Sequence, residues 1–323
     1  MDFSQLLSRD ALVHAIAGTC GGAITMSSFY PLEIVKTYVQ LDPKYKNKDS
    51  IQCAKDLINE EGVEVLYKGL GNTLISLGCS NFVYFYTNEA LKIIASKLRR
   101  KYGRTGLLSN DTVVNLSIAS FAGVVNVMTT NPLWLVNTRM KVQHKKSIND
   151  NLNEKQEHYI NGVVDGITHI AKKEGILKLW SGCTASLWLV SNPTILFVLY
   201  DLMKKILIKW RGTSNLTGLE FFLLGALSKS VATIVTYPMQ LAQYSMRTTA
   251  PKEEQNKTNK KQQDRSNLLS CLIYIVKNDG VLGLFRGLDV KLVQTVLMSA
   301  FHFLFYEKIM QVIFALLGAQ KKK

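Results

Sequence analysis

The sequence predicts an all-α membrane protein with six transmembrane helices, two in each of three tandem repeats of about 100 residues. Three observations predict it. Pro31-Leu32-Glu33-Ile34-Val35-Lys36 has counterparts in Pro132-Leu133-Trp134-Leu135-Val136-Asn137 and Pro238-Met239-Gln240-Leu241-Ala242-Gln243. A second motif follows each in step: Glu61-Gly62 leads to Tyr67-Lys68-Gly69, Glu174-Gly175 to Trp180-Ser181-Gly182, and Asp279-Gly280 to Phe285-Arg286-Gly287. Residues 11–32, 69–88, 112–138 and 179–200 contain no Asp, Glu, Lys or Arg, and each run approaches or exceeds the roughly 20 residues that cross a bilayer. One such run could be a buried helix of a soluble protein. Four of them, in phase with a repeat, point to a membrane.

The whole chain, 1–323, reads as one transmembrane domain with repeats 8–100, 108–211 and 216–317. Helix 1 is expected from Ala11 to Gln40. Gly18 and Gly22 give it a small-xxx-small face that admits a close neighbour, and Pro31 kinks it by removing a backbone hydrogen bond. Such a break is tolerated in lipid where neighbouring protein or a wet cavity satisfies the freed carbonyl. Asp42–Ser50 is a polar loop, Ile51–Glu60 a short amphipathic helix ended by Gly62, and Asn72–Ala95 the second span, with Phe82, Tyr84, Phe85 and Tyr86 along it. The second repeat follows the basic turn 97–104. It places helix 3 at Thr112–Val142, a charged mobile loop at His144–His158, a surface helix at Gly162–Lys173 and helix 4 at Thr184–Ile208. The third has helix 5 at Leu219–Arg247, an insert at Pro251–Ser266, a short helix at Leu268–Asn278 and helix 6 at Val290–Leu317. Six spans put both termini on one side.

The chain is 47% hydrophobic with a mean hydropathy of +0.07 and a formal charge of +15. Most of that charge lies outside the apolar runs, as in Arg99-Arg100-Lys101, His144-Lys145-Lys146, 257–265 and Lys321-Lys322-Lys323. Loops attracted to anionic lipid account for it, as does a basic interior serving an anionic solute. No nucleic-acid motif accompanies the charge, so nucleic acid is not an expected partner. Cys20, Cys53, Cys79, Cys183 and Cys271 have no metal or framework spacing and read as reduced thiols. The segment Met1–Asp10 does not read as a cleavable signal. No nucleophile–base signature or metal constellation is found, and His14, His144, His158, His169 and His302 are dispersed. An enzyme, a cofactor and a metal are therefore not expected.

Three repeats in which Pro-x-[acid]-x-x-[base] closes each odd helix and [acid]-Gly-x4-[aromatic]-[base]-Gly precedes each even one resemble the mitochondrial carrier family over the whole chain. The resemblance implies a pseudo-threefold bundle around one central site, worked by alternating access. Internally repeated helices with a midplane site are a common transporter design. It also implies an inner gate of acid–base pairs between successive odd helices. Here only Glu33 and Lys36 keep the charges, so Glu33 is expected to face Asn137, Lys36 to face Gln240, and Trp134 to face Gln243. Pro31, Pro132 and Pro238 mark the three corners. Gln40 matches the family's bracing glutamine, where the other repeats carry Lys141 and Arg247. The implied gate is weaker than one with three ion pairs, by an amount that desolvation blurs.

The implied outer gate is [aromatic]-[acid]-x-x-[base] on even helices. Tyr200-Asp201-Leu202-Met203-Lys204 matches it fully, Tyr306-Glu307 keeps the acid, and Tyr86 keeps the aromatic alone; an interfacial aromatic belt is the lesser alternative for any one tyrosine, and less again for the matched set. Substrate contacts project onto Leu74–Ser76, Trp188–Leu189 and Gln294–Thr295, none an arginine. Lys229 and Lys291 are the cations within the spans that could replace one, with Arg139 and Arg247 deeper; Lys291 could equally snorkel at a helix end. Trp188 could stack on an adenine or face lipid. Asn81, Asn126 and Asn192 are polar at membrane depth and need a partner or a wet cavity.

The pattern of Trp134 with Asn137, Gln240 with Gln243, and Ser80–Thr87 is similar to the peroxisomal branch of the family, associated with adenine nucleotides, coenzyme A and related cofactors. The expectation is an exchanger of ATP, AMP, CoA, FAD or NAD in the peroxisomal membrane, monomeric because one chain holds a full bundle. A mitochondrial inner-membrane carrier of NAD, FAD or folate is the same-class alternative. A non-transporting membrane scaffold with thinned gates is the alternative of another class.

Overall fold

A computed structural model of the 323-residue chain describes residues 21–45, 48–102, 111–143, 160–212, 217–248 and 267–301. Regular structure is all helical among these residues. Helical residues 21–28 lead through a turn at Phe29 into α1 (Tyr30–Leu41), followed by α2 (Ser50–Glu61) and α3 (Leu70–Tyr102). The second repeat contains α4 (Asp111–Val142), α5 (Val163–Lys173), α6 (Cys183–Leu189) and α7 (Asn192–Arg211). The third contains α8 (Gly218–Thr248), α9 (Leu268–Asp279) and α10, residues 288–301.

Most expected boundaries hold within a few residues where the chain is described, but α3 runs on past the expected end at Ala95 to Tyr102. Gly18, both inserts and the end of helix 6 lie outside the described residues. At 32 residues, α4 is about 48 Å long, well beyond a bilayer core of about 30 Å. Among the described residues Asp111–Val142, Ile176–Arg211 and Gly218–Thr248 are long and apolar enough to cross a membrane; a fourth candidate, Leu268–Asp279 with Val281–Phe301, is bent by 118°. The 33-residue α3 is long enough too, but Asn72, Ser80, Asn81, Tyr84 and Tyr86 dilute its charge-free half. Hydroxyls within these helices bond back onto their own turns, as Thr130 to Asn126 O (2.8 Å) and Thr233 to Lys229 O (2.8 Å). Such bonds satisfy those hydroxyl donors without a partner helix.

One expected helix is broken. Helix 4, read as continuous from Thr184, divides into α6 and α7 at Val190 and Ser191. Pro193 lies in the first turn of α7 and has no N–H to give back to Leu189. Ser191 Oγ caps the break from the other side by donating to Trp188 O at 2.7 Å. Pro132 and Pro238 lie inside continuous helices. The carbonyl that Pro132 frees belongs to Met128, and the Trp180 indole N–H donates to it at 2.9 Å.

The acid-Gly-x4-aromatic-x-Gly motif is one device used three times. Gly62, Gly175 and Gly280 have φ of 83°, 94° and 71°, and Gly69, Gly182 and Gly287 have φ of 75°, 77° and 73°. Between each pair runs a single 3-10 turn: Val63–Tyr67, Ile176–Trp180 and Val281–Phe285. Two left-handed positions thus reverse the chain from surface helix to even helix. Each repeat then packs the C-terminal half of its odd helix on its surface helix. The apolar clusters centre on Ile34 with Leu57, Leu135 with Ile170, and Leu241 with Ile275. The contact residues of the surface helices are small: Cys53, Gly166 and Cys271 occupy equivalent places and are buried. A Cβ at Gly166 would lie 2.4 Å from Val136.

Candidate functional site

The side chain before each proline closes its own repeat. Tyr30 OH donates to Lys68 O (2.9 Å), Asn131 Nδ2 to Leu179 O (2.9 Å) and Ser181 O (3.2 Å), and Tyr237 OH to Arg286 O (2.5 Å). The bracing position of the next repeat meets the same side chain. Lys141 lies over the Tyr30 ring, 5.5 Å from its centre, Arg247 Nη2 donates to Asn131 Oδ1 at 3.2 Å, and Gln40 Nε2 donates to Tyr237 OH at 2.7 Å. The three odd helices therefore close into a ring, which is the threefold relation in atomic terms.

Within that ring Glu33 is a hub. Lys36 Nζ donates to its Oε2 at 2.6 Å and Gln294 Nε2 to the same oxygen at 3.1 Å. Lys141 Nζ and Tyr244 OH reach Oε1 at 3.2 and 3.3 Å. One buried carboxylate so gathers side chains of all three repeats. Lys291 adds a further buried lysine within electrostatic reach of Glu33, Lys36, Lys141 and Lys229. Lys229 Nζ donates to Ser299 Oγ at 3.0 Å. Positive charge exceeds negative around the hub, an arrangement suited to an anionic solute.

Tyr244 also borders a cavity of about 440 Å³ between α3, α4, α6, α7 and α8. Its walls carry the rings of Tyr84, Trp134 and Tyr244, and its polar groups include Asn126, Gln243 and Arg247. The break after α6 is part of it, through Val190 and Pro193. A Cβ at Gly123 would lie 2.7 Å from Val190 Cγ1, so the glycine lets α4 approach the break. Aromatic faces with a few polar groups make a site for a planar, polar solute.

The family model "Mitochondrial carrier protein" matches this chain three times, over residues 8–98, 109–210 and 214–315. The chain belongs to the mitochondrial carrier family. It is an integral membrane solute carrier, not an enzyme. Mouse "Peroxisomal membrane protein PMP34" is 40% identical, over 98% of this chain and 97% of its own length. The Arabidopsis thaliana "Peroxisomal nicotinamide adenine dinucleotide carrier" is 32% identical (94% and 96% covered), and the soybean "Peroxisomal adenine nucleotide carrier 1" 31% identical (97% and 95%).

The carrier's inner layer departs from the expected pairing. Glu33 meets Lys141 rather than Asn137, because the bracing position of repeat 2 is a lysine long enough to reach back one turn. Asn137 Oδ1 instead accepts from Thr73 at 2.9 Å. Lys36 lies 5.0 Å from the centre of the Tyr244 ring, while Gln240 bonds Thr236 of its own helix at 3.1 Å. Trp134 and Gln243 share the cavity wall, and Gln243 Nε2 donates to Ser186 Oγ at 2.6 Å. Gln40 bonds Tyr237 rather than bracing an ion pair. Arg139 forks onto Glu174, with Nη2–Oε2 at 2.9 Å, and is thereby held in structure.

Of the expected solute contacts, Leu189 and Asn126 line the cavity, and Asn126 exchanges hydrogen bonds with Ser80. Trp188 is 64% exposed and, like Asn81, lies outside the cavity lining. Asn192 Nδ2 reaches Thr236 Oγ1 at 3.5 Å. Sequence reasoning missed Tyr84 and Tyr244 in this role; their spacing places both on inward helix faces, but only packing shows which face is inward. The described outer-gate residues do not meet across the bundle. Tyr86 stacks on Phe82, Asp201 pairs with Lys205 at 2.7 Å, and Lys204 lies over Phe221. Tyr306 and Glu307 lie outside the described residues. The inner layer is thus bonded between repeats, while Tyr86 and Asp201 of the described outer-gate residues bond within their own helices.

Proposed function

We propose that this carrier exchanges adenine nucleotides or adenine-containing cofactors, among ATP, AMP, CoA, FAD and NAD, across the peroxisomal membrane by alternating access. The excess of lysine over carboxylate around Glu33 carries the reading. Lys36, Lys141 and Lys291 gather about a single acid there, with Lys229 within electrostatic reach of Lys291. The adjoining aromatic cavity supplies faces for a base, and the printed names of relatives at 31–40% identity supply the solute class and the organelle.

In this reading the solute enters from the outer side, and its anionic groups meet Lys229 and Lys291. Release on the other side requires the Glu33 hub to part and the outer layer to bond. In this reading the chain works as a monomer, with the three repeats forming one transport unit.

Uptake of labelled ATP, AMP, CoA, FAD and NAD into liposomes holding the purified protein tests this. Uptake that depends on internal nucleotide is expected, and Lys291→Met and Lys229→Ala lower it. No uptake of any of the five by folded protein overturns the solute class. Fluorescent tagging that marks mitochondria rather than peroxisomes overturns the location.

A further inference from the structure

Arg247 stands at the inner end of α8, is 5% exposed and lines the cavity. Its Nη2 donates to Asn131 Oδ1 and Ser186 Oγ, both at 3.2 Å, and its Nε is buried with no hydrogen-bond partner. No carboxylate pairs with it among the described residues. Arg139 donates through Nε to the Arg247 carbonyl at 3.0 Å, yet the acid at this corner, Glu174, is already held by Arg139 itself. A guanidinium does not shed its proton, so burial without a counter-charge is unfavourable. The groups around it, Asn131, Ser186, Gln243 and Trp134, are all neutral.

We infer that Arg247 is an anion subsite of the cavity, taking a phosphate group of the transported solute, separate from the lysines gathered on Glu33. A phosphate accepts charge-assisted N–H bonds from a guanidinium, and here Nη2 is turned to Asn131 and Ser186 while Nε has no partner. It also brings the counter-charge that the protein leaves out. The Trp134 ring on the same cavity wall gives a base attached to that phosphate an apolar face. The phosphate is taken to belong to a nucleotide because of the reading above, and the anion subsite itself does not depend on that. Two cationic poles in one carrier favour solutes with two separated anionic groups over those with one.

Binding of inorganic pyrophosphate, AMP and adenosine to the full-length protein in detergent tests the inference. Arg247→Gln keeps a side-chain amide beside Asn131 and Ser186 but removes the charge. It is expected to raise the Kd for pyrophosphate and AMP by about tenfold or more, the scale of one lost charge-assisted hydrogen bond, and to leave adenosine unchanged. Arg247→Lys recovers part of the loss. Unchanged affinity for both anions, or equal weakening for adenosine, overturns the subsite.

If Arg247→Gln does not fold, wild-type protein is treated with butane-2,3-dione and Arg247 modification is read by mass spectrometry. Protection by pyrophosphate is expected. Modification indifferent to pyrophosphate overturns the inference, as does an Arg247 that never reacts, because a site closed to the reagent is closed to phosphate. Arg247-dependent pyrophosphate binding by a protein that moves no nucleotide sinks the nucleotide reading alone. Nucleotide exchange untouched by Arg247→Gln sinks the subsite alone.

Discussion

Lys141 Nζ lies 3.2 Å from Glu33 Oε1, joining repeat 2 to repeat 1 through two side chains that are 3% and 6% exposed. With Lys36 on the other oxygen, this carboxylate holds two buried ammonium groups in place. Replacing Glu33 by Gln strands both charges. Breaking a buried pair from one side costs about 3–5 kcal/mol, so Glu33→Gln protein is expected to melt well below wild type in detergent. Adding Lys141→Met, which removes one stranded charge, restores part of the loss. Equal melting of all three proteins would show that the hub contributes nothing to the folded state.

Tyr237 OH stands between Gln40 and the Arg286 carbonyl, at 2.7 and 2.5 Å. Tyr237→Phe leaves both without this partner. A buried polar group left unsatisfied costs about 1–3 kcal/mol. The substitution is therefore expected to destabilise more than Gln40→Leu, which leaves the Arg286 bond in place. Thermal denaturation of the two variants and their combination gives the coupling, and an additive pair would contradict the shared bond.

The glycines of the reversal differ in what surrounds them. A Cβ at Gly182 would meet the Gln243 carbonyl at 3.0 Å and Arg247 Cγ at 3.2 Å, whereas one at Gly175 meets nothing within 4 Å. Gly182 is left-handed (φ 77°, ψ 1°), where Ala carries about 1–2 kcal/mol of strain, and Gly175 (φ 94°, ψ 154°) lies in a region almost reserved to glycine, where the strain is about 1–3 kcal/mol. Gly182→Ala adds a clash with backbone of the next repeat. Folded yield and melting temperature should rank wild type above Gly175→Ala, and Gly175→Ala above Gly182→Ala.

Cys53 is fully buried on the inner face of α2, and burial, with Asp42 and Asp56 nearby, pushes its thiol up to about 12. Cys79 is exposed. In a Cys20→Ser background, N-ethylmaleimide should modify Cys79 in the folded protein and reach Cys53 only after denaturation. Thiolate is the reactive form and increases as pH rises through the pKa. Raising the pH through the ordinary thiol range near 8.5 therefore leaves Cys53 unlabelled. Peptide mass spectrometry before and after unfolding reads the result.

Most of the helical order was legible because it rests on local chemistry. Charge-free runs set the spans, and the paired glycines set the reversals. What depended on packing was not legible. Pro193 lies inside an apolar run and gave no sign that helix 4 would divide at Val190. Lys141 and Arg247 were visible at bracing positions, but their partners depend on how far each side chain reaches between repeats. Asn137 was assigned to Glu33 by analogy, while the fold gives it to Thr73.

The contacts of Gln40 with Tyr237, Lys141 with Tyr30, and Arg247 with Asn131 have a topological consequence. They form a cycle, so the polypeptide's ends fall at an arbitrary point of a closed order. A nascent chain that has made two repeats holds Gln40 without its acceptor, and assembly is completed only when the last repeat arrives. By the same logic, circular permutants opened between repeats should retain every one of these bonds, whereas a chain shortened by one repeat cannot close at all.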